Sequence, residues 1–307
     1  MKIKLISDPK FDSGFGHLSR LISLAQELKI RGGGYCFHPL DNFNPRQIEF
    51  IQENSLEVDC SCEGAPDFTI IDTYNAAYIH SITKVKYGKI IQLIDEVTPR
   101  GICDGFIEVS PISQPSEKAG RIPILEFENS PLFRDEIYSL KEEPELGIQG
   151  QSRGVLVLGG VSDSIYIEVL SRLNSILGEK ISNLTIGTSS KIVMDFAKKF
   201  DIVESISLQN MSKIAKSFNY VISGAGVTAW ELAFLQIPGF VISVVGNQEF
   251  QLNYLIKNGY RNGANLFSNM VDAELLNCVR GLDELPLKTP DGLGRIKIFK
   301  FLETLTP

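Results

Sequence analysis

Short, β-rich apolar runs alternate with stretches of helical periodicity from one end of this 307-residue chain to the other, and no other feature constrains its fold as much. Such alternation is the signature of βαβ units and a parallel sheet. In the first half, residues 2–7 read as a strand. Leu18, Leu21, Ile22, Ala25 and Leu28 then recur at helical spacing until Gly32-Gly33-Gly34 stops the helix. Further strands are expected over 68–71, 89–94 and 105–109, with Asp72, Asp95 and Glu108 at their carboxyl ends. In an open parallel sheet, ligands bind at that edge. A polar, turn-forming stretch over 141–152 reads as a linker. A second series follows, with a strand over 154–158, a Gly159-Gly160 turn and a helix over 165–177, then strands over 183–186, 202–205, 220–222 and 240–244. The expected organisation is a first α/β domain over 1–140, a second over 153–290 and a C-terminal helix within 291–307. No short-period repeat or low-complexity tract is present, which sets solenoids and propellers aside.

Composition narrows the function classes. With 30 Lys and Arg against 37 Asp and Glu, the net charge is −7, so the molecule as a whole is no electrostatic match for nucleic acid or anionic lipid. A phosphate ligand would need local help. The apolar runs fall far short of the roughly 20 residues that span a bilayer. Met1 to Ser7 lacks the long apolar stretch of a secretory signal, and a cytoplasmic protein is expected. Five cysteines, Cys36, Cys60, Cys62, Cys103 and Cys278, are odd in number and scattered, which points to reduced thiols. Zinc-site spacing is absent, and no metal or cofactor is called for.

The segment Asp8 to Arg20 carries Gly14, Gly16 and His17 between the first strand and the first helix. The glycines permit close backbone approach. At a helix amino terminus the dipole disfavours imidazolium, so His17 would stay neutral and suit a general base. Alternatively the segment is only a tight turn. A third glycine is missing from the dinucleotide pattern, which disfavours NAD. In the second half, Ser223-Gly224-Ala225-Gly226-Val227-Thr228 leads from a strand into a helix bearing Glu231. Free amides there, with the Ser223 and Thr228 hydroxyls, could hold a diphosphate without a basic patch, and Glu231 could accept bonds from a ribose. A plain strand-turn-helix link with a solvated Glu231 is the competing reading. Gly160, Asn247 and Gln248 follow neighbouring strands at the same edge, and Asp72-Thr73-Tyr74 sets a carboxylate and a phenol at the edge of the first sheet. The G-x-S-x-G, G-x-x-x-x-G-K-[ST] and H-E-x-x-H templates are all absent, and His38 and His80 have no partner at ligand spacing.

Taken in order, these segments resemble the UDP-sugar hydrolases of pseudaminic acid biosynthesis. Asp8, Gly14, Gly16, His17 and Arg20 are similar to that family's amino-terminal motif, and Asp72-Thr73-Tyr74 to its Asp-His-Tyr. Asp95 to Pro99, Leu132 to Glu136, Leu158 to Asp163, Ser223 to Glu231, Asn247-Gln248 and Asp291 to Ile296 complete the series. The resemblance implies a GT-B-like fold. Two Rossmann-type domains would face an interdomain cleft, and the C-terminal helix would cross back to the first. It also implies metal-independent hydrolysis of a UDP-linked 2,4-diacetamido-trideoxy sugar by attack of water at the anomeric carbon, with inversion. His17 is then the base, Tyr74 and Asn247 position water or sugar, and the amides of Gly224, Ala225 and Gly226 stabilise the leaving diphosphate. The other substrate and nucleotide contacts would be Asp8, Gly14, Gly16, Arg20, Asp72, Gly160, Ser223, Thr228, Glu231 and Gln248. The alternatives are a glycosyltransferase on the same scaffold, with His17 deprotonating an acceptor hydroxyl, and a nucleotide-sugar binding protein without turnover.

Overall fold

The apolar runs build two parallel sheets in a computed structural model that describes residues 1–7, 15–39, 43–58, 65–81, 88–96, 98, 100–112, 122–142, 153–159, 161–202, 204–206, 217–282 and 284–306. The chain divides into two units, Met1–Asp135 with Asp291–Pro307, and Glu136–Pro290. The linker expected over 141–152 lies mainly on residues 143–152, outside the described residues. No helix of the described residues is long and apolar enough to cross a membrane.

The first unit contains β1 (Lys2–Ser7), α1 (Gly16–Ile30), β2 (Gly34–Pro39), α2 (Pro45–Glu53), β3 (Phe68–Asp72), α3 (Ala76–Ser81), β4 (Lys89–Ile94), β5 (Gly105–Glu108) and β6 (Ile124–Leu125). Its sheet runs β2-β1-β3-β4-β5-β6, with every pairing parallel. Side chains alternate between the sheet faces. Ile3 and Leu5 of β1 pack with Leu18, Leu21, Ile22 and Ala25 of α1 on one face, while Ile6 packs with Ile71, Ile79, Ile90 and Phe106 on the other. The last helix adds Ile298, Phe299 and Leu302 to the α1 side of this core. Register pairs Ser7 with Asp72, so β1 and β3 end level with one another.

Helix α4 (Asp135–Glu142) carries the chain to the second unit. There follow β7 (Gly154–Val157), α5 (Asp163–Leu177), β8 (Leu184–Ile186), α6 (Lys191–Ala197), β9 (Tyr220–Gly224), α7 (Val227–Phe234), β10 (Gly239–Ser243), α8 (Glu249–Lys257), β11 (Asn262–Asn265) and α9 (Val271–Arg280). The C-terminal α10 (Gly294–Leu305) belongs to the first unit. The second sheet runs β11-β10-β9-β7-β8, again parallel throughout. Leu156, Ile222 and Ile242 from three adjacent strands pack with Tyr166, Val169, Leu170 and Leu173 of α5. Among the described residues, the strand expected over 202–205 is present as one bridge between Ile186 and Ser205, and β8 is the last of the five strands in the sheet. Strands β2, β6 and β11 and helix α2 were not anticipated from the apolar runs. Helix α2 has a clear local cause: Asn44 accepts from Gln47 N, the Gln47 side chain accepts from Asn44 N, and Pro45 opens the first turn.

Candidate active site

Both sheets reverse their strand order beside their first strand. From β1 the chain goes to β2 on one side and to β3 on the other, and from β7 it goes to β8 on one side and to β9 on the other. Open parallel sheets bind ligands in the crevice outside the carboxyl ends of the strands at such a switch point. In the first unit that crevice lies beyond Ser7 and Asp72.

His17 is the second residue of α1, and Asp72 is the last residue of β3. The His17 Nδ1 is hydrogen-bonded to Asp72 Oδ1. Arg20, one turn further along α1 and on the same face, grips the same carboxylate with both ends of its fork: Nε donates to Oδ2 and Nη2 to Oδ1, each at 2.8 Å. All three residues are buried, with Asp72 2% exposed. Burial alone would push the Asp72 carboxyl up, but the Arg20 guanidinium, and then His17, outweigh it and hold the pKa at about 2. Arg20 is likewise raised above the ordinary arginine value, since the attraction of Asp72 overcomes the penalty of burial. Asp72 is therefore an ionised carboxylate, which can only accept. The bond between it and His17 is therefore donated by Nδ1–H, beside which Arg20 Nη2 stands at 3.0 Å, and in that tautomer the lone pair of the ring is on Nε2.

Tyr74 stands edge-on to His17, with ring centroids 4.5 Å apart and planes at 82°. Its Oη donates to Asp95 Oδ2 at 2.5 Å. Asp95 follows the end of β4, the next strand in the sheet. Its other oxygen, Oδ1, accepts from Thr98 Oγ1 at 2.7 Å, and Thr98 Oγ1 accepts from Asp95 N at 3.0 Å. Burial, reinforced by the charge of Asp95, raises the Tyr74 phenol above its ordinary range, so it keeps its proton. Asp95 and Thr98 lie in the resembling segment Asp95 to Pro99, but sequence reasoning assigns neither of them a role in the site. Their signal was positional: a carboxylate at the end of a strand two places from β1.

In the second unit, Ser223 and Gly224 close β9 beside β7. A Cβ on Gly224 would lie 3.0 Å from Leu158 O, so glycine is needed for the close approach. The Ser223 hydroxyl is fully buried and has no hydrogen-bond partner among the described residues. Of the amides expected to face a diphosphate, that of Ala225 is committed to the sheet, donating to Ile242 O at 3.0 Å. Helix α7 begins beyond Gly226 without a side-chain cap; Ala229 N donates to Gly226 O at 3.1 Å, which leaves the amides of Val227 and Thr228 as first-turn donors. Gln248 Oε1 accepts from Val244 N at 3.0 Å, which turns its Nε2 toward the loop, 3.7 and 3.8 Å from where Cβ atoms on Gly224 and Gly226 would stand. Thr228 is half-buried. Glu231 is only 3% exposed and so is not the solvated residue of the competing reading.

Gly16 starts α1. Asp8, Gly14 and Gly160 lie outside the described residues, and for Asn247 only the backbone is described, in the turn Gly246–Gln248. The switch point of the first unit thus brings together His17, Arg20, Asp72 and Tyr74, and that of the second brings together Ser223, Gly224, Gly226 and Gln248.

No protein-family model matches the chain. Among characterised proteins it is similar to the UDP-2,4-diacetamido-2,4,6-trideoxy-β-L-altropyranose hydrolase of Campylobacter jejuni, with 25% identity over 280 residues, covering 85% of this chain and 98% of that one. Among solved structures it resembles the Methanocaldococcus jannaschii UDP-GlcNAc 2-epimerase in complex with UDP-GlcNAc and UDP. The TM-score is 0.59 and the identity 11%, over 99% of this chain and 100% of that one. MurG of Acinetobacter baumannii is also similar, with a TM-score of 0.55 and 9% identity over 99% of each chain. The chain therefore has the GT-B type of fold, built of two parallel-sheet α/β domains, and is similar over most of its length to a UDP-sugar hydrolase.

Proposed function

We propose that the protein hydrolyses a UDP-linked 2,4-diacetamido-trideoxy sugar to UDP and the free sugar, serving pseudaminic or related nonulosonic acid biosynthesis in the cytoplasm. The observation that carries this is the His17–Asp72–Arg20 arrangement, an imidazole with its basic nitrogen fixed as Nε2. Water gives a proton to Nε2 as its oxygen bonds to the anomeric carbon, and the bond from that carbon to the UDP oxygen breaks on the opposite face, inverting the centre. Positioned general-base catalysis is worth about 10²- to 10⁴-fold in rate. On this reading Asp72 and Arg20 act through His17, while Tyr74 and Asn247 position water or sugar. The departing charge moves onto the diphosphate, which the α7 amides, Thr228 and the Gln248 Nε2 hold without a metal, and Glu231 binds the ribose. Gly16, with Asp8 and Gly14 before it, and Gly160, Ser223 and Gly224 in the second domain, let the backbone approach the substrate closely.

The test is to incubate the purified protein with a panel of UDP-, CMP- and GDP-sugars, each with and without saccharide or lipid acceptors. Acceptor-free release of UDP is the expected result. Release only when an acceptor is present would make the protein a glycosyltransferase, and binding without release would make it a nucleotide-sugar binding protein.

A further inference from the structure

We infer that Asp95 is a positioning residue for the nucleophilic water, because it takes the one hydrogen of the Tyr74 phenol and thereby makes Tyr74 Oη an acceptor. The inference rests on the hydrolase reading and deepens it. A phenol has one O–H, and that of Tyr74 is directed at Asp95 Oδ2 at 2.5 Å. What Oη offers to anything beside His17 is therefore lone pairs. His17 Nε2 offers the same, since its Nδ1 hydrogen is held by Asp72. A water between these two acceptors must donate both of its hydrogens to the protein, one to Nε2 and one to Oη. Both of its lone pairs then lie on the side away from the two acceptors, where one of them can face the carbon it attacks. The proton passed to His17 and the proton held by Tyr74 thus have separate addresses, and no proton moves through Asp95.

Thr98 makes the arrangement directional. Its hydroxyl accepts from Asp95 N and donates to Asp95 Oδ1, so one carboxylate oxygen is already engaged and the other is turned to the phenol. In Asp95→Asn the side-chain oxygen would keep the Thr98 bond and the NH₂ group would face Tyr74. The phenol would then accept from the amide and turn its own hydrogen toward the water, reversing its role. Asparagine, the closest isostere, is for this reason expected to be no better than alanine, a pattern that a merely space-filling Asp95 would not give.

The experiment compares wild type, Tyr74→Phe, Asp95→Asn, Asp95→Ala and the Tyr74→Phe/Asp95→Asn double variant in acceptor-free hydrolysis of UDP-2,4-diacetamido-2,4,6-trideoxy-β-L-altropyranose. Both Asp95 variants should lose about 10- to 100-fold in kcat with KM within about twofold, and the double variant should be no slower than Tyr74→Phe alone. An independent readout is the proton spectrum of the wild type without substrate. A downfield, exchange-protected hydroxyl resonance should be present there and lost in both Tyr74→Phe and Asp95→Ala. Near-normal turnover by Asp95→Asn, losses that multiply in the double variant, or the absence of that resonance from the wild type would each overturn the inference. Wild type that releases no UDP from this substrate would remove the hydrolase reading, and the role of Asp95 with it. Turnover with independent Asp95 and Tyr74 losses would overturn the role of Asp95 alone.

Discussion

Replacing Asp72 by asparagine removes the one negative charge that both His17 and Arg20 contact, and the structure sets the size of the consequence. The carboxyl lies at about 2 in the folded protein against an ordinary 3.8. At 1.36 kcal/mol per unit, that difference favours the folded state by about 2 kcal/mol at neutral pH. Because the folded pKa is the lower one, the contribution is complete above about pH 4 and disappears as the pH falls toward 2. Asparagine also strands the Arg20 guanidinium, and breaking a buried pair from one side costs about 3–5 kcal/mol. The first unit should therefore lose between about 2 and 5 kcal/mol at pH 7, and its steepest acid sensitivity, between about pH 4 and 2, should flatten. The single tryptophan, Trp230, is in the second unit, so stability is best read from hydrogen exchange of the β1 and β3 amides. Catalysis should suffer more. An asparagine NH₂ facing His17 favours the wrong tautomer, and in comparable His–Asp pairs this costs up to about 10⁴-fold. Amide protection unchanged within about 0.5 kcal/mol, together with turnover within about threefold of wild type, would refute the assignment.

Three further outcomes follow from particular contacts. Glu231→Gln should weaken UDP binding about 10- to 100-fold by calorimetry, as expected for loss of charge-assisted bonds to a ribose, with less effect on turnover at saturation; unchanged affinity removes Glu231 from the site. Tyr166 donates to Gly187 O at 2.7 Å and accepts from Leu158 N at 2.9 Å, so Tyr166→Phe should leave a buried amide unpaired and cost about 1–3 kcal/mol in urea unfolding followed by Trp230 fluorescence. Gly239 has φ of +123°, and a Cβ there would collide with the Val221 carbonyl in the next strand. Gly239→Ala should consequently lower stability by about 3 kcal/mol or more, seen as a large drop in the thermal midpoint of the second unit.

Most of the strands readable from sequence are paired on both sides; β8 is an edge strand that its apolar run also marked. Strands β3, β4, β7, β9 and β10 are interior, largely buried on both faces, and appear as mainly apolar runs, as does β1 apart from Lys2 and Lys4. The overlooked strands are edges. Strand β11, Asn-Gly-Ala-Asn, has an exposed first residue and one fully buried position, and β2 interleaves Tyr35, Cys36 and His38, so neither needs an apolar run to pair on one side only. The candidate site divides in the same way. The glycine turn and its helix marked His17, and the end of β3 marked Asp72 and Tyr74. That His17 bonds to Asp72 is a contact across 55 positions, decided by which strands neighbour β1, and no local spacing encodes it. Asp95 was visible as a strand-end carboxylate, but its bond to Tyr74 also depends on β4 lying beside β3.

Hydrolysis in water enriched in oxygen-18, with wild type and His17→Ala side by side, tests the central claim most directly. Wild type should place the label on the anomeric hydroxyl of the released sugar and leave the UDP unlabelled, while His17→Ala should still bind UDP and release almost none. Label in the phosphate of UDP, or near-normal turnover without the imidazole, would contradict attack on carbon by a histidine-activated water.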